Sequence, residues 1–223
     1  MSDDAYVWWK VVATSAVAST IVNFIANAAI KRWDNWREDK KETARRDVVY
    51  LDIALQLEDF AFRAANLIEG IKDGIAQYRA EQDDRHLQAL QEIAFNFDAS
   101  TEWDRVPAEV AVRAKTFPRN LERSRDFIFF AWRHWAELDD AWEYDAERLA
   151  FYGLGAIKFA ADIRREMKVN DDHFVLKLAK IFEDHIDARR QFFVQSRSED
   201  SVIPELAEQF KKEGLSVLPS SPL

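Results

Sequence analysis

No cysteine occurs in the chain, which excludes disulfides, thiolate metal sites and a cysteine nucleophile from its chemistry. Glycine and proline are scarce, five of each in 223 residues, too few breakers for the many tight turns of an all-β fold. The sequence contains no Gly-rich phosphate loop, no Gly-x-Ser-x-Gly elbow and no Walker pattern, so nucleotide hydrolysis has little support and no motif specifies a reaction. A formal charge of -9 argues against duplex nucleic acid as a partner of the whole chain.

What remains is 48% hydrophobic and 32% charged, enough apolar material for an ordinary helical core. The longest uncharged stretch, Val11 to Ile30, has twenty residues, and at about 1.5 Å per residue it matches the thickness of a bilayer's hydrocarbon layer. Trp8 and Trp9 stand before it, Trp33 and Trp36 after it, where membrane interfaces favour amphipathic rings. Lys31, Arg32, Arg37, Lys40, Lys41, Arg45 and Arg46 follow the stretch, and only Lys10 is basic before it. The positive side is expected to stay in the cytoplasm, with the N-terminus outside the inner membrane. Anionic lipid headgroups suit this basic run.

Two other readings of the stretch stay open. Ala26-Asn27-Ala28 matches a signal-peptidase site, but the leader Met1-Ser2-Asp3-Asp4 lacks a basic region and a dense basic run follows the cut. Six Ser, Thr or Asn residues among the twenty also fit a helix in a soluble core or lying flat in an interface. Turning about 100° per residue, Ser15, Ser19, Thr20, Asn23 and Asn27 share one side with Ala13, Ala16 and Ala26, and only Thr14 breaks the partition. In lipid, small residues let backbones approach and Asn side chains bond across the seam. Ala13, Ala16, Thr20, Asn23 and Asn27 are therefore the predicted helix-association residues, in a homo-oligomer or against another membrane protein.

Residues 31–47 read as a continuing solvated helix. The core begins near Val48: Ile53, Leu57, Phe60, Ala64, Leu67, Ile71, Ile75 and Tyr78 hold a buried stripe, with Val48, Leu51, Leu55 and Phe62 widening it. Gly70 and Gly74 weaken its last turns, and residues 79–85 make a turn. A short helix is expected over 86–97, then a loop to Val106, Pro107 opening another helix, and a boundary at Phe117-Pro118. Leu121, Ile128, Trp135, Trp142, Leu149, Ala156 and Ile163 recur every seven residues with Asp145 spoiling the companion series, as one bent helix or two stacked ones broken near Gly153 and Gly155. Asn170-Asp171-Asp172 reads as a cap for a further helix, Pro204 to Lys212 as a short one, and residues from 196 onward as a mobile tail.

The fold expected is all-α: a short extracytoplasmic N-terminus (1–10), a transmembrane helix (11–30), a basic juxtamembrane helix (31–47), a cytoplasmic bundle of about four or five long helices (48–195) and a mobile tail (196–223). Candidate chemistry is sparse. Asp139, Asp140 and Glu143 share a face and could take a hard cation such as magnesium or calcium, or remain a solvated acidic face pairing with Arg113, Lys115, Arg119, Arg123 and Arg125. His134-x-x-Glu137 has ligand spacing, but Trp132 and Trp135 beside it favour packing. His185 lies on an apolar stripe near Glu183 and Asp184, a pH-sensitive position. No cofactor and no nucleic-acid partner are expected; the bilayer is.

The layout, one N-terminal anchor followed by a helical cytoplasmic domain, resembles that of small uncharacterised bacterial single-pass membrane proteins. That likeness of organisation carries over no functional residue. The leading expectation is a non-enzymatic, membrane-anchored interaction, sensing or effector module that self-associates through its anchor. A pore-forming effector lined by Asn23 and Asn27, and a membrane-tethered metal-dependent hydrolase using Asp139, Asp140 and Glu143, are the alternatives.

Overall fold

Between residue 3 and residue 69 the chain contains neither glycine nor proline, and this whole stretch is helical. The protein is described here by a computed structural model covering residues 3–169, 173–196 and 198–217, with side chains described from residue 31 onward apart from Asp39. Within those residues every regular element is helical: α1 (Asp3–Glu81), α2 (Arg85–Gln88), α3 (Ala108–His134), α4 (Leu138–Glu166), α5 (His173–Gln195) and α6 (Pro204–Lys212), with single 3-10 turns at Trp103–Arg105 and Glu199–Ser201. The chain divides into two units, Met1–Asp47 and Val48–Leu223.

In the first unit the side chains from Lys31 to Arg46 stand in solvent, Asp39 aside. Trp33 and Trp36 are exposed, their rings 5.3 Å apart, and the Lys40 ammonium lies 4.0 Å from the Trp36 ring centre. Among the described residues no helix is long and apolar enough to cross a membrane. The span expected over 11–30 falls outside the described side chains, as do Trp8, Trp9 and the association residues Ala13, Ala16, Thr20, Asn23 and Asn27.

The second unit is built around α4, against which α1, α3 and α5 run antiparallel. Arg79 of α1 meets Asp139 and Glu143 at the start of α4, and Glu58 meets Arg164 at its end. On α3, Arg113 meets Asp162, and the Asn120 carbonyl accepts from Tyr152. On α5, Arg189 meets Glu143 while Phe182 packs on Gly153. The predicted α1 stripe forms the core wall: Ile53, Leu57, Phe60, Ala64, Leu67, Ile71 and Ile75 are buried and Tyr78 is half-buried. Its width differs from expectation, since Val48, Leu55 and Phe62 are exposed and Ala54, Ala61, Ala65 and Ile68 are buried in their place. Small alanines let neighbouring helices approach on that side.

Three expected boundaries move. First, the helix expected over 86–97 shrinks to one turn, after which Ile93, Phe95 and Phe97 alternate inward from a non-helical strip. Phe95 stacks on Phe60 and Phe117 at 5.2 and 5.5 Å, so tertiary packing overrides local preference. Gly70 and Gly74 serve this strip: a Cβ on Gly74 would lie 2.6 Å from Leu87 Cδ2, so the glycine is a notch that receives a leucine. Second, α3 runs straight through Pro118. The expense of an interior proline, about 3 kcal/mol, is offset where Phe117 buries edge-on against Phe60, Phe95 and Tyr152 and Leu121 is buried one turn on.

Third, the seven-residue series breaks at residues 135–137, well before Gly153. The Glu137 backbone N–H donates to the Asp140 carboxylate at 3.1 Å, which caps α4 and separates it from α3. Gly153 lies mid-helix because a Cβ there would come within 2.5 Å of the buried Phe182 ring. Gly153→Ala should therefore lower stability by about 1–3 kcal/mol from overpacking, although alanine is the better helix former by about 1 kcal/mol. A thermal melt decides it, and an unchanged or raised midpoint would mean the ring moves aside freely.

The predicted cap at Asn170, Asp171 and Asp172 lies outside the described residues. The segment from 198 to 217, expected as part of a mobile tail, instead packs on the core, with Leu215 and Val217 half-buried at its end. Val202, Ile203, Leu206 and Phe210 are buried, Phe210 rests 5.5 Å from Phe193, and α6 spans the residues expected for it. Apolar residues at 202, 203, 206, 207 and 210 form the one-sided stripe that a polar reading of the tail overlooks.

Candidate functional site

Two places in the second unit bring chemistry-bearing side chains together. The first is a chain of charges joining α1, α4 and α5. Arg79 donates to Asp139 at 2.9 Å and to Glu143 at 2.9 Å. Glu143 also accepts from Arg189 at 3.2 Å, and Arg189 gives a further bond to the Ser201 carbonyl at 3.1 Å. Arg189 Nε lies 2.6 Å from Oε1 of Glu147, a fully buried carboxylate whose Oε2 accepts from the Ile203 N–H at 2.8 Å. Burial pushes the Glu147 carboxyl up to about 7, against the opposing pull of Arg189 and the Ile203 N–H.

His185 lines a 290 Å³ cavity beside this chain with Arg79, Glu143 and Arg189. Its buried Nε2 has no hydrogen-bond partner among the described residues, and desolvation followed by the charges of Lys72 and Arg189 lowers its pKa to about 4, with Glu69 opposing. Its charged neighbours are thus largely cationic, in place of the Glu183 and Asp184 that the sequence set beside it. The two shifts oppose each other in sign. Between about 4.5 and 7 the native Glu147 holds a proton that the unfolded chain releases, so its contribution falls as pH rises. Between about 4 and 6.5 the unfolded His185 takes a proton that the native chain refuses, so its contribution rises with pH. His185→Gln should unmask the Glu147 trend, and urea midpoints should fall from pH 4.5 to pH 7 more steeply than in the wild type. An unaltered pH profile would sink the assignment.

These bonds place the predicted metal residues. Asp139 and Glu143 face Arg79, while Asp140 caps α4, and no group of three or more His, Asp or Glu among the described residues could hold a metal ion. The basic run on α3 is engaged elsewhere: Arg113 pairs with Asp162, and Arg125 with Glu92 and Glu122.

The second place lies at the α3–α4 junction. Phe129, Phe130, Trp132 and Trp135 are 49%, 51%, 54% and 47% exposed, a ridge of large rings where packing was expected for Trp132 and Trp135. Ring contacts within it are local: Phe130 lies 5.4 Å from Trp135 and 4.2 Å from His134, and the Arg133 guanidinium covers Phe129 at 4.2 Å. His134 Nδ1 is occupied by the Phe130 carbonyl at 2.8 Å. Beside the ridge, Ile128, Phe129, Trp132, Leu138 and Trp142 wall a 340 Å³ cavity.

Asp145 also lines that cavity, as do Glu92 and Arg125, which pair with each other. Arg148, 1% exposed, donates Nε to Asp145 Oδ1 at 2.8 Å and Nη1 to the Leu121 carbonyl at 3.3 Å. Asp145 Oδ2 is buried and has no hydrogen-bond partner among the described residues. In the sequence Asp145 stands both as a flaw in an apolar series and as one of the carboxylates crowded between residues 137 and 147. Asp145-x-x-Arg148 spacing inside that series was the available signal, because charges three apart on a helix meet. Arg79, Glu147 and Arg189 lie far apart in sequence, and no local pattern joins them.

Comparison with protein-family models, with curated proteins and with solved structures returns no match.

Proposed function

We propose that the chain is a membrane-anchored helical interaction and sensing module that binds partners and carries out no catalysis. The exposed rings of Phe129, Phe130, Trp132 and Trp135 at one end of α3 carry the interaction reading, since large apolar side chains gathered at a surface mark contact sites. Pairing of the charged groups with one another supports binding over catalysis: Asp139, Glu143 and Glu147 face arginines. The anchor reading rests on the uncharged run from Val11 to Ile30, its flanking tryptophans and the basic residues that follow it. In this reading the N-terminus lies outside the inner membrane and the helical domain in the cytoplasm. Copies assemble through Ala13, Ala16, Thr20, Asn23 and Asn27.

Full-length, C-terminally tagged protein should stay with membranes through a carbonate wash, with its tag protected from external protease. Crosslinking should capture an oligomer that weakens when Asn23 and Asn27 are both changed to Leu. Release by carbonate would end the anchor reading, and unchanged crosslinking would end the seam.

A further inference from the structure

On a chain whose formal charge is -9, most arginines of the second unit are matched: Arg79, Arg113, Arg125, Arg164 and Arg189 each meet a carboxylate. One face of α3 departs from this pattern. Lys115, Arg119, Arg123 and Arg133 are exposed, and none of them forms an ion pair with a described carboxylate. Lys115 lies 5.2 Å from the Trp103 ring centre and Arg133 4.2 Å from that of Phe129, so two of the four rest on aromatic faces.

Their spacing brings them together. At about 100° per residue, Lys115, Arg119, Arg123, Phe130 and Arg133 fall within an arc of about 80°, turned away from the buried Leu121, Ser124 and Ala131. At about 1.5 Å per residue this row is about 27 Å long. Phe129, Trp132 and Trp135 add exposed rings at the same end of α3 as Phe130. The carboxylates near the row leave a positive surplus. Asp126 stands on the same arc, Asp98 lines a hollow with Lys115 and Arg119, and Glu122, which lines it too, is taken by Arg125.

Unmatched cations in a row that ends in apolar rings complement a layer of phosphates over hydrocarbon. Lys and Arg are drawn to anionic headgroups, and large rings seat at the headgroup level. A single-stranded nucleic acid calls for rings interleaved with the cations, base by base, whereas here the exposed rings gather beyond Arg123. We infer that this face of α3 docks on an anionic phospholipid surface, with Lys115, Arg119, Arg123 and Arg133 on the phosphates and Phe129, Phe130 and Trp132 in the interface. The inference rests on the interaction reading of the same rings and names their partner. An anchor in the same chain would hold that partner at high effective concentration.

Because the chain has no cysteine, a single one can report on this face. Full-length protein carrying Thr116→Cys, an exposed position among the cations, is labelled with nitrobenzoxadiazole and reconstituted into vesicles of phosphatidylcholine with or without phosphatidylglycerol. Emission should rise about twofold and shift to the blue only with phosphatidylglycerol, and high salt should reverse the change. Arg119→Glu with Arg123→Glu should abolish the rise and leave the helical circular dichroism signal intact, since neither side chain has a partner to lose. Phe130→Ala with Trp132→Ala should weaken it, and a label at Glu183→Cys, exposed on α5, should stay silent.

No rise with phosphatidylglycerol, or an equal rise in phosphatidylcholine alone, overturns the anionic lipid surface. A rise that survives the double charge reversal, or one that is as large at Glu183→Cys, places the contact elsewhere. Indifference to the ring variant removes the rings from the contact, and a larger response to polyuridylate makes the partner a nucleic acid. Carbonate fractionation and crosslinking of the same protein report on the anchor and the oligomer separately, so either reading can fail while the other stands.

Discussion

Glu147→Ala is expected to destabilise the helical domain by about 3–5 kcal/mol, the range seen when one member of a buried ion pair is removed. Three things are lost together. Arg189 loses the carboxylate 2.6 Å from its Nε, the Ile203 N–H loses its acceptor, and a void opens in a fully buried position. Glu147→Gln separates these effects. The amide oxygen still accepts from Ile203, the volume is kept, and the charge that burial disfavours is gone, while Arg189 retains Glu143 and the Ser201 carbonyl. About 1–2 kcal/mol is the expected loss for Gln. Urea unfolding at pH 7 measures both, and equal losses for Ala and Gln would show that the bond holding Ile203 to α4 contributes little.

Arg148→Leu should cost a similar amount for a different reason. It strands Asp145, whose side chain is 8% exposed, as a buried carboxylate without a counter-ion, and it deprives the Leu121 carbonyl of its donor. Replacing both partners, Asp145→Leu with Arg148→Met, removes the charge along with its complement and should recover most of the loss. Apolar substitutes for a buried pair are often neutral or stabilising. A double-mutant cycle therefore predicts strong positive coupling between the two sites. If the double variant is as unstable as the sum of the single ones, shape outweighs charge here.

How far the fold was legible depended on whether its cause was periodic. The α1 stripe from Ile53 to Ile75 follows from 3.6-residue spacing, and α6 from a proline start and a one-sided apolar pattern. The strip around Phe95 was not legible, because its conformation is set by rings on α1 and α3 distant in sequence. Pro118 misled for the same reason: a local rule was overridden by burial on either side of it. At the sites, the acidic cluster was visible as Asp139, Asp140 and Glu143, but its partners Arg79 and Arg189 lie on other helices, so a cation site and an arginine site look alike in one dimension. Aromatic residues at helical spacing are usually buried, which predicts packing for Trp132 and Trp135, yet both stand exposed at the end of α3 and in the break that follows it.

The antiparallel packing of α4 against α1 sets a timetable for synthesis. Tyr78 and Ile163, at the far ends of two segments that share one core, are 85 residues apart in the chain. At about 5–20 residues per second that interval takes about 4–17 s, during which the stripe from Ile53 to Ile75 has left the ribosome with no α4 to cover it. A nascent chain halted near residue 130 presents that stripe bare and becomes a client of chaperones, and one extended beyond residue 217 has hidden it.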